Sequence, residues 1–409
     1  MVRQEVYWIW FTTIGIRQST QTVLCEFFDD IESIYFASEK DYNEIEGIPQ
    51  NDIKLLLNKD LSAAKEIFEK TDILGGFVLT VDNVRYPDRL RDIVNLPYVL
   101  YVKGDLPTDE EIVTLGVVGT RKYSTYGEKV TKKMCYYLAK EGFTIVSGMA
   151  RGIDTFAAIA ALRAGRKTIA VLGSGLDVIY PPENVEVYKA ISENGCIITE
   201  YPPGSQPIGF HFPERNRIIA GLSDALLVTE APSKSGALIT ARQAFDIGRK
   251  IYAVPGNVFD VNSVGTNALI RAGVNIVAHP KDISSDFELQ LKNIEKSEDD
   301  VSVIVNYPSG KRKAVVSLEE TIVEFEKKKE NTKNIEIKER PNISDSRYSN
   351  LSDEEKIIIE LIIENEKITI DEIIRASELS ASKVNTLLSF LEISGEVKRL
   401  AGNYYELNL

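Results

Sequence analysis

The chain has 409 residues, 44% of them hydrophobic and 27% charged, with 26 Gly and 15 Pro. That composition excludes a collagen-like or wholly disordered chain, and the length allows two to four domains at roughly 100–200 residues each. The formal net charge of −13 argues at face value against a polyanionic ligand, but residues 112–280 hold 18 Lys and Arg against 13 Asp and Glu, a balance of +5, which leaves −18 on the rest. Local field rather than total charge governs contact, so a basic middle fits a polyanion, and it fits ordinary variation between domains equally well.

No window offers the ~18–20 uninterrupted apolar residues of a membrane span. The first ten residues carry Arg3 and Glu5 and no long apolar run, so no signal peptide is expected. Cys25, Cys135 and Cys196 are scattered and odd in number, which fits neither a disulfide framework nor a zinc cage and points to a reducing cytoplasm. His211 and His279 are far apart, so neither a histidine metal site nor a His-dependent triad is expected.

Residues 1–75 read as helical, with apolar residues at helical spacing around Leu24 to Phe28 and Ile53 to Leu57. Between them, Gly47 and Pro49 suit a turn resembling a helix-hairpin-helix, read as a packing module because the basic residues of a phosphate grip are missing. Phe77–Thr80 and Tyr98–Val102 are β-rich. From Gly116 to Pro280 short apolar runs alternate with helical stretches. Strands are predicted at Leu115–Val118, Thr144–Val146, Lys167–Leu172, Cys196–Thr199, Ala225–Val228, Ile251–Val254 and Asn275–Val277. Helices are predicted at Lys129–Glu141, Asp154–Ala164, Ala237–Ile247 and Thr266–Ala272. Continuous apolar strands alternating with helices predict an α/β fold, a doubly wound parallel sheet over residues 76–280.

Residues 281–350 lose this order. A hairpin of Val301–Tyr307 with Lys313–Ser317, then a charged linker from Glu324 to Asn350, is the expectation. Residues 351–409 recover a pattern: a capped acidic helix after Ser352, a second from Thr369, a third over Ala381–Ser394 ended by Gly395, and a hairpin turning at Ala401-Gly402. This is a winged helix. Its third helix offers only Lys383 and Asn385, which favours protein contact or autoinhibition over duplex reading.

Four glycine-bearing segments follow predicted strands, at the sheet edge where ligands bind in such folds. Gly119-Thr120-Arg121 brings backbone amides and a bidentate phosphate fork. Ser147-Gly148-Met149-Ala150-Arg151-Gly152 makes a second cradle, with Asp154 placed to cap the next helix. Gly173-Ser174-Gly175 is the third. The fourth runs from Thr229-Glu230 into Lys234-Ser235-Gly236, which opens a helix. Between the last two, Phe212 could stack a base, and Arg215 and Arg217 flank Asn216. Neither a P-loop nor a dinucleotide fingerprint is present.

These segments, with Phe212–Ser223, Ser235–Arg242 and Ser263–Gly273, resemble in order and spacing the bacterial DNA-processing family DprA, also called Smf. The likeness is strong over about residues 80–280, and the helical start and winged-helix end fit the family plan. Ala237, Val274 and Met149 depart from common family residues without removing a charge or a glycine. The resemblance implies an extended Rossmann fold and a non-enzymatic protein without cofactor or metal. It implies binding to single-stranded DNA, protection of incoming strands in natural transformation, loading of the recombinase RecA, and a homodimer with no membrane contact. It places DNA-binding roles on Gly119, Thr120, Arg121, Ser147, Gly148, Arg151, Gly152, Gly173, Phe212, Arg215, Asn216, Arg217, Lys234 and Gly236. It places the dimer contact on Leu269, Ile270 and Val274, a stretch that equally suits ordinary core. Two other readings stay open. One is a Rossmann-type nucleotide phosphoribohydrolase using Glu230, against which the missing consecutive glycines count. The other is an adaptor acting through the winged helix.

Overall fold

The structure, a computed structural model, describes residues 2–292, 294, 351–365, 367–377, 379–393, 396–400 and 403–407. The described residues fall into two compact units, one on each side of residue 310. The hairpin expected over 301–317, the linker after 324, and the turns at Gly395 and Ala401-Gly402 lie outside the described residues.

The first unit opens with six helices: α1 (Gln4–Thr13), α2 (Gln18–Phe27), α3 (Ile31–Phe36), α4 (Glu39–Asn43), α5 (Gln50–Leu56) and α6 (Ser62–Ile73). Helix α1 is apolar all round, and Val6 to Phe11 are buried, the pattern of a helix enclosed on every side. Between α4 and α5, Gly47 takes a φ of +89° and Pro49 caps α5. This helical cap shares one core with the sheet: Trp8 stacks on Tyr98 at 5.6 Å.

The sheet has nine strands: β1 (Gly76–Thr80), β2 (Val99–Gly104), β3 (Val113–Val118), β4 (Phe143–Ser147), β5 (Thr168–Val171), β6 (Cys196–Thr199), β7 (Ala225–Val228), β8 (Lys250–Ala253) and β9 (Asn275–Ile276). Their order is β1-β2-β6-β5-β4-β3-β7-β8-β9. Seven strands, β3 to β9, run parallel, and β2 pairs antiparallel with both β1 and β6. Every residue of β3 and β4 is buried, as strands covered on both faces require. The connecting helices are α7 (Thr125–Glu141), α8 (Ile153–Arg163), α9 (Val185–Asn194), α10 (His211–Leu222), α11 (Gly236–Asp246) and α12 (Val264–Arg271). From β3 the chain winds to β4, β5 and β6 on one side, then crosses back to β7, β8 and β9 on the other. The reversal lies between β3 and β7, paired at Leu115↔Ala225, and a crevice opens outside the carboxyl ends of strands at such a point.

Two features differ from the sequence reading. Helices α9 and α10 were not among the predicted elements. Order also continues past Pro280, in short helical turns at Lys281–Ser284, Ser285–Phe287 and Glu288–Leu291. These hold because Ile283, Phe287 and Leu291 are buried, with Phe287 edge-on to Phe143 at 5.6 Å.

The second unit has helices Asp353–Asn365, Ile370–Ser377 and Ala381–Ile393 and strands β10 (Ile368–Thr369), β11 (Val397–Arg399) and β12 (Tyr404–Leu407), paired β10-β12-β11. Its first helix opens on a capping box, with Ser352 N–H donating to Glu355 Oε2 at 2.8 Å and Glu355 N–H to Ser352 Oγ at 3.3 Å. Ile358, Ile362, Ile373, Val384, Leu388 and Val397 form its core. This is the winged helix. Lys383 of its third helix is paired with Glu354 at 3.0 Å.

Candidate nucleic-acid interface

The loops after β3, β4, β5 and β7 and the first turns of α10 enclose an open cleft of about 610 Å³ at the strand switch. Arg121, Lys122 and Lys234 line it and are exposed, and the one carboxylate in its lining, Asp154, is buried. The mouth is therefore cationic.

Local geometry explains the loop after β3. Thr120 N–H donates to Glu230 O at 2.8 Å, and the Thr120 hydroxyl accepts from Lys122 N–H at 3.1 Å. Glu230, buried after β7, accepts from Ser124 N–H at 3.0 Å and from the Ser124 hydroxyl. The β3 and β7 loops are thus tied at their base, and Arg121 and Lys122 project from a fixed turn.

Helix α10 sorts the segment from Phe212 to Arg217. At about 100° per residue, Phe212 and Asn216 share one face, Arg215 lies inward, and Arg217 is turned about 140° from Phe212. Phe212 faces the cleft. Its ring lies against Gly173, where a Cβ would come within 3.1 Å of it, and Tyr180 sits 5.5 Å away. The Arg121 guanidinium covers the ring at 4.8 Å from its centroid, a cation–π contact. Asn216 reaches Gly236 O at 3.5 Å.

Arg215 is 3% exposed and lies beneath the cleft, donating to the carbonyls of Gly148 (2.8 Å) and Val171. Burial lowers its pKa to about 10, which leaves it charged at neutral pH. Burial pushes the Asp154 carboxyl up, against the pull of Arg215 and of the Gly148 N–H, which donates to it at 3.1 Å. Gly148 makes this packing possible, because a Cβ there would fall 2.3 Å from the Arg215 guanidinium. Gly148 and Gly173 are thus spacers for Arg215 and Phe212.

A family model for DNA recombination-mediator protein A matches residues 77–288, a little over half of the chain. The chain belongs to the DprA (Smf) family. A DprA winged helix domain model matches residues 344–403. Protein Smf of Synechocystis sp. is 39% identical over 279 residues, which cover 67% of this chain and 70% of that one. The DNA processing protein DprA of Streptococcus pneumoniae is 44% identical over 203 residues, 50% of this chain and 71% of its own. The X-ray structure of DprA from that organism superposes with a TM-score of 0.62 at 34% identity, covering 70% of this chain and 98% of that one.

Of the residues that the DprA resemblance singles out, Gly119, Thr120, Arg121, Phe212, Arg215, Asn216, Lys234 and Gly236 line the cleft together. Others stand apart from its lining. The Ser147 hydroxyl is buried, donating to Val117 O at 2.7 Å. Gly152 precedes α8 with a φ of +80°. Arg151 pairs with Glu183, Nη2 to Oε2 at 3.0 Å, 5.9 Å from the Tyr180 ring. Arg217 pairs with Glu200, with side-chain exposures of 13% and 17%. Lys122 and Tyr180 also line the cleft, beyond the residues the resemblance names; Lys122 adjoins Arg121, and Tyr180 follows the third glycine segment.

At the far edge of the sheet, Leu269 and Val274 pack against the core while Ile270 is half-buried and Ile276 is 55% exposed. Among the described residues no group of three or more His, Cys, Asp or Glu is placed to hold a metal, and no helix is long and apolar enough to cross a membrane.

Proposed function

We propose that the chain is a non-enzymatic single-stranded DNA-binding protein whose strand runs through the cleft at the β3/β7 switch. The Arg121–Phe212 pair in a cationic mouth carries this reading: the guanidinium held flat over the ring gives an unpaired base a stacking surface, and its N–H groups meet the phosphate. Lys122 and Lys234 extend the charge on either side, and the Gly236 end of α11 adds the positive end of a helix dipole. Arg215 and Gly148 hold the floor of this site, while Arg151 and Arg217, paired with Glu183 and Glu200, brace the elements around it.

In this reading the protein protects incoming strands in natural transformation and passes them to RecA, inside the cell and as a homodimer. The dimer forms through the sheet edge at Leu269, Ile270 and Val274, with Ile276 beside them. Family membership and the name DNA processing protein DprA on the pneumococcal relative support it. Glu230, the carboxylate a phosphoribohydrolase would use, is 1% exposed with both oxygens held by Ser124, which favours binding over hydrolysis. In the winged helix, the Lys383–Glu354 pair leaves the third helix little charge for a duplex, which favours protein contact.

The test is fluorescence anisotropy of the full chain with single- and double-stranded oligonucleotides of one sequence, alongside a base-release assay with AMP. Tighter, salt-dependent binding of the single strand without base release is expected. Equal affinity for both forms, or release of adenine, would overturn the reading.

A further inference from the structure

The carboxyl rim does not end at the cleft. After β8 the chain forms a loop over Val254–Ser263 before α12. In it Val258, Phe259 and Val261 are 75%, 92% and 70% exposed. Single exposed apolar residues are ordinary, but three within four positions on one loop call for a partner.

The loop is built rather than loose. Asn257 Oδ1 accepts from Phe259 N–H at 2.9 Å, and Asp260 Oδ1 accepts from Asn262 N–H at 2.9 Å. Asn267 clamps its start, with Nδ2 donating to Gly256 O at 3.0 Å and Oδ1 accepting from Gly256 N–H at 3.2 Å. These bonds fix the backbone that carries the exposed Phe259 ring, which lowers the entropic cost of meeting a flat ligand.

The loop is also continuous with the cleft. Asn262 Nδ2 donates to Lys122 O at 3.0 Å, and Asn262 O accepts from Ala231 N–H at 2.8 Å. The β3 and β7 loops that line the cleft are thus the two loops to which Asn262 is bonded. Phe259 is three residues from that anchor, within about 10 Å of chain. Tyr126, 46% exposed, bonds Pro255 O at 2.8 Å on the same side. A strand leaving the cleft past Arg121 and Lys122 meets cations first and then an exposed aromatic, the alternation that an unpaired nucleic acid reads through phosphates and base faces.

We propose that the Val258–Val261 loop is a second stacking platform, with Phe259 receiving a base of the single strand as it leaves the Arg121–Phe212 cleft. The proposal rests on the single-stranded DNA reading of the cleft and adds a subsite to it. The bases engaged at Phe259 are those beyond the segment that fills the cleft, so the loop contributes only to longer strands.

The test uses the full chain and fluorescein-labelled oligothymidylates of about 5 and about 16 nucleotides, bracketing the usual site sizes of single-strand binders. Phe259→Ala is expected to weaken binding of the longer oligonucleotide about fivefold or more, to leave the shorter unchanged, and to leave the mass by light scattering unchanged. Phe259→Trp should keep wild-type affinity and show fluorescence quenching with the longer strand only. Trp8 and Trp10, buried in α1, give a constant background. The side chain is 92% exposed, so neither variant disturbs the core. Unchanged affinity of Phe259→Ala for the longer strand, while wild type binds both lengths, overturns this platform and leaves the cleft reading standing. A fall in mass on substitution overturns it in favour of a contact between two copies. Wild type binding neither length overturns the cleft reading and the platform with it.

Discussion

The guanidinium carbon of Arg121 sits 4.8 Å from the centroid of the Phe212 ring. The two residues come from the β3 loop and the first turn of α10, so the contact exists only where the fold brings the two ends of the switch-point crevice together. Both partners are in place before a ligand arrives: Gly173 backs the ring, and the Thr120–Glu230 bond fixes the loop carrying the arginine.

Removing that cation should cost affinity for single strands. Arg121→Ala is expected to weaken binding by ~1–3 kcal/mol, in the range of a charge-assisted contact, and to reduce the salt dependence by about one phosphate contact. Arg121→Lys restores the charge without the flat guanidinium, so its salt slope should match wild type while its affinity stays lower. Anisotropy titrations over a range of KCl concentrations read both quantities. A wild-type affinity for Arg121→Ala would remove the residue from the interface.

Arg217 should behave differently, although it stands only five positions along the same helix from Phe212. Its partner Glu200 is almost buried, and burial pushes that carboxyl up against the pull of Arg217. Arg217→Ala strands this carboxylate, so urea denaturation should show a loss of about 3 kcal/mol. Among the described residues Glu200 Oε1 and Arg217 Nη1 find no hydrogen-bond partner, so the pair is an imperfect one. The double variant Glu200→Leu with Arg217→Met should therefore recover most of the loss. Once folded, each variant should bind single strands within about twofold of wild type, because the pair lies on the face of α10 turned away from the cleft. A tenfold loss of affinity with unchanged stability would return Arg217 to the DNA contact.

The contrast between these arginines marks where the sequence was legible. Strands β3 to β8 show in it because each carries an apolar run, and a strand buried on both faces has no other composition available, whereas both residues of the edge strand β9 are exposed. The glycine turns at their ends located the rim. Helix α10 did not show, because Pro213 and three charged residues occupy its first two turns, and one of those, Arg215, is buried on carbonyl partners distant in sequence. Binary patterning has no symbol for a charge satisfied in the core. Gly148 looked like an anion cradle for a similar reason: a glycine that makes room for a guanidinium and one that makes room for a phosphate read alike. The helical turns past Pro280 depend on Phe143, more than a hundred residues upstream, and no local signal carries that contact.

The sheet edge separates two kinds of apolar residue. Leu269 and Ile270 are both half-buried, but Leu269 packs on the core, and Ile276 is 55% exposed on β9, an edge strand of two residues. Ile276→Asp and Ile270→Asp are therefore expected to give well-folded monomers by light scattering at micromolar concentration, with melting temperatures near wild type. Leu269→Asp places a charge against the core and should lower stability by ~3 kcal/mol or more whatever the assembly state. Dimers that persist in both isoleucine variants would locate the contact elsewhere.

Far from the rim, Lys59 offers a prediction in pH. Its ammonium lies 5.1–5.2 Å from the ring centroids of Trp10, Tyr35 and Tyr42 and donates to the Tyr42 hydroxyl at 2.8 Å. Burial lowers its pKa from 10.5 to about 8, so the cost of desolvation exceeds the attraction of the three rings. Between about pH 8 and 10.5 the unfolded chain then binds more protons at this group than the folded chain does, so the contribution of Lys59 to stability rises with pH through that window. The tyrosines oppose this from about pH 10 upward, because burial raises Tyr35 and Tyr42 and only the unfolded chain ionises them readily there. Cys25, Cys135 and Cys196 oppose it from about pH 8.5 upward, because burial raises their thiols and only the unfolded chain ionises them there. Urea denaturation of wild type and Lys59→Met at about pH 7.5 and about pH 9.5 cancels these shared groups and leaves the lysine. The stability of wild type relative to Lys59→Met should rise between the two. An identical pH response in the two proteins would mean that the aromatic faces offset the burial, leaving Lys59 charged across the whole range.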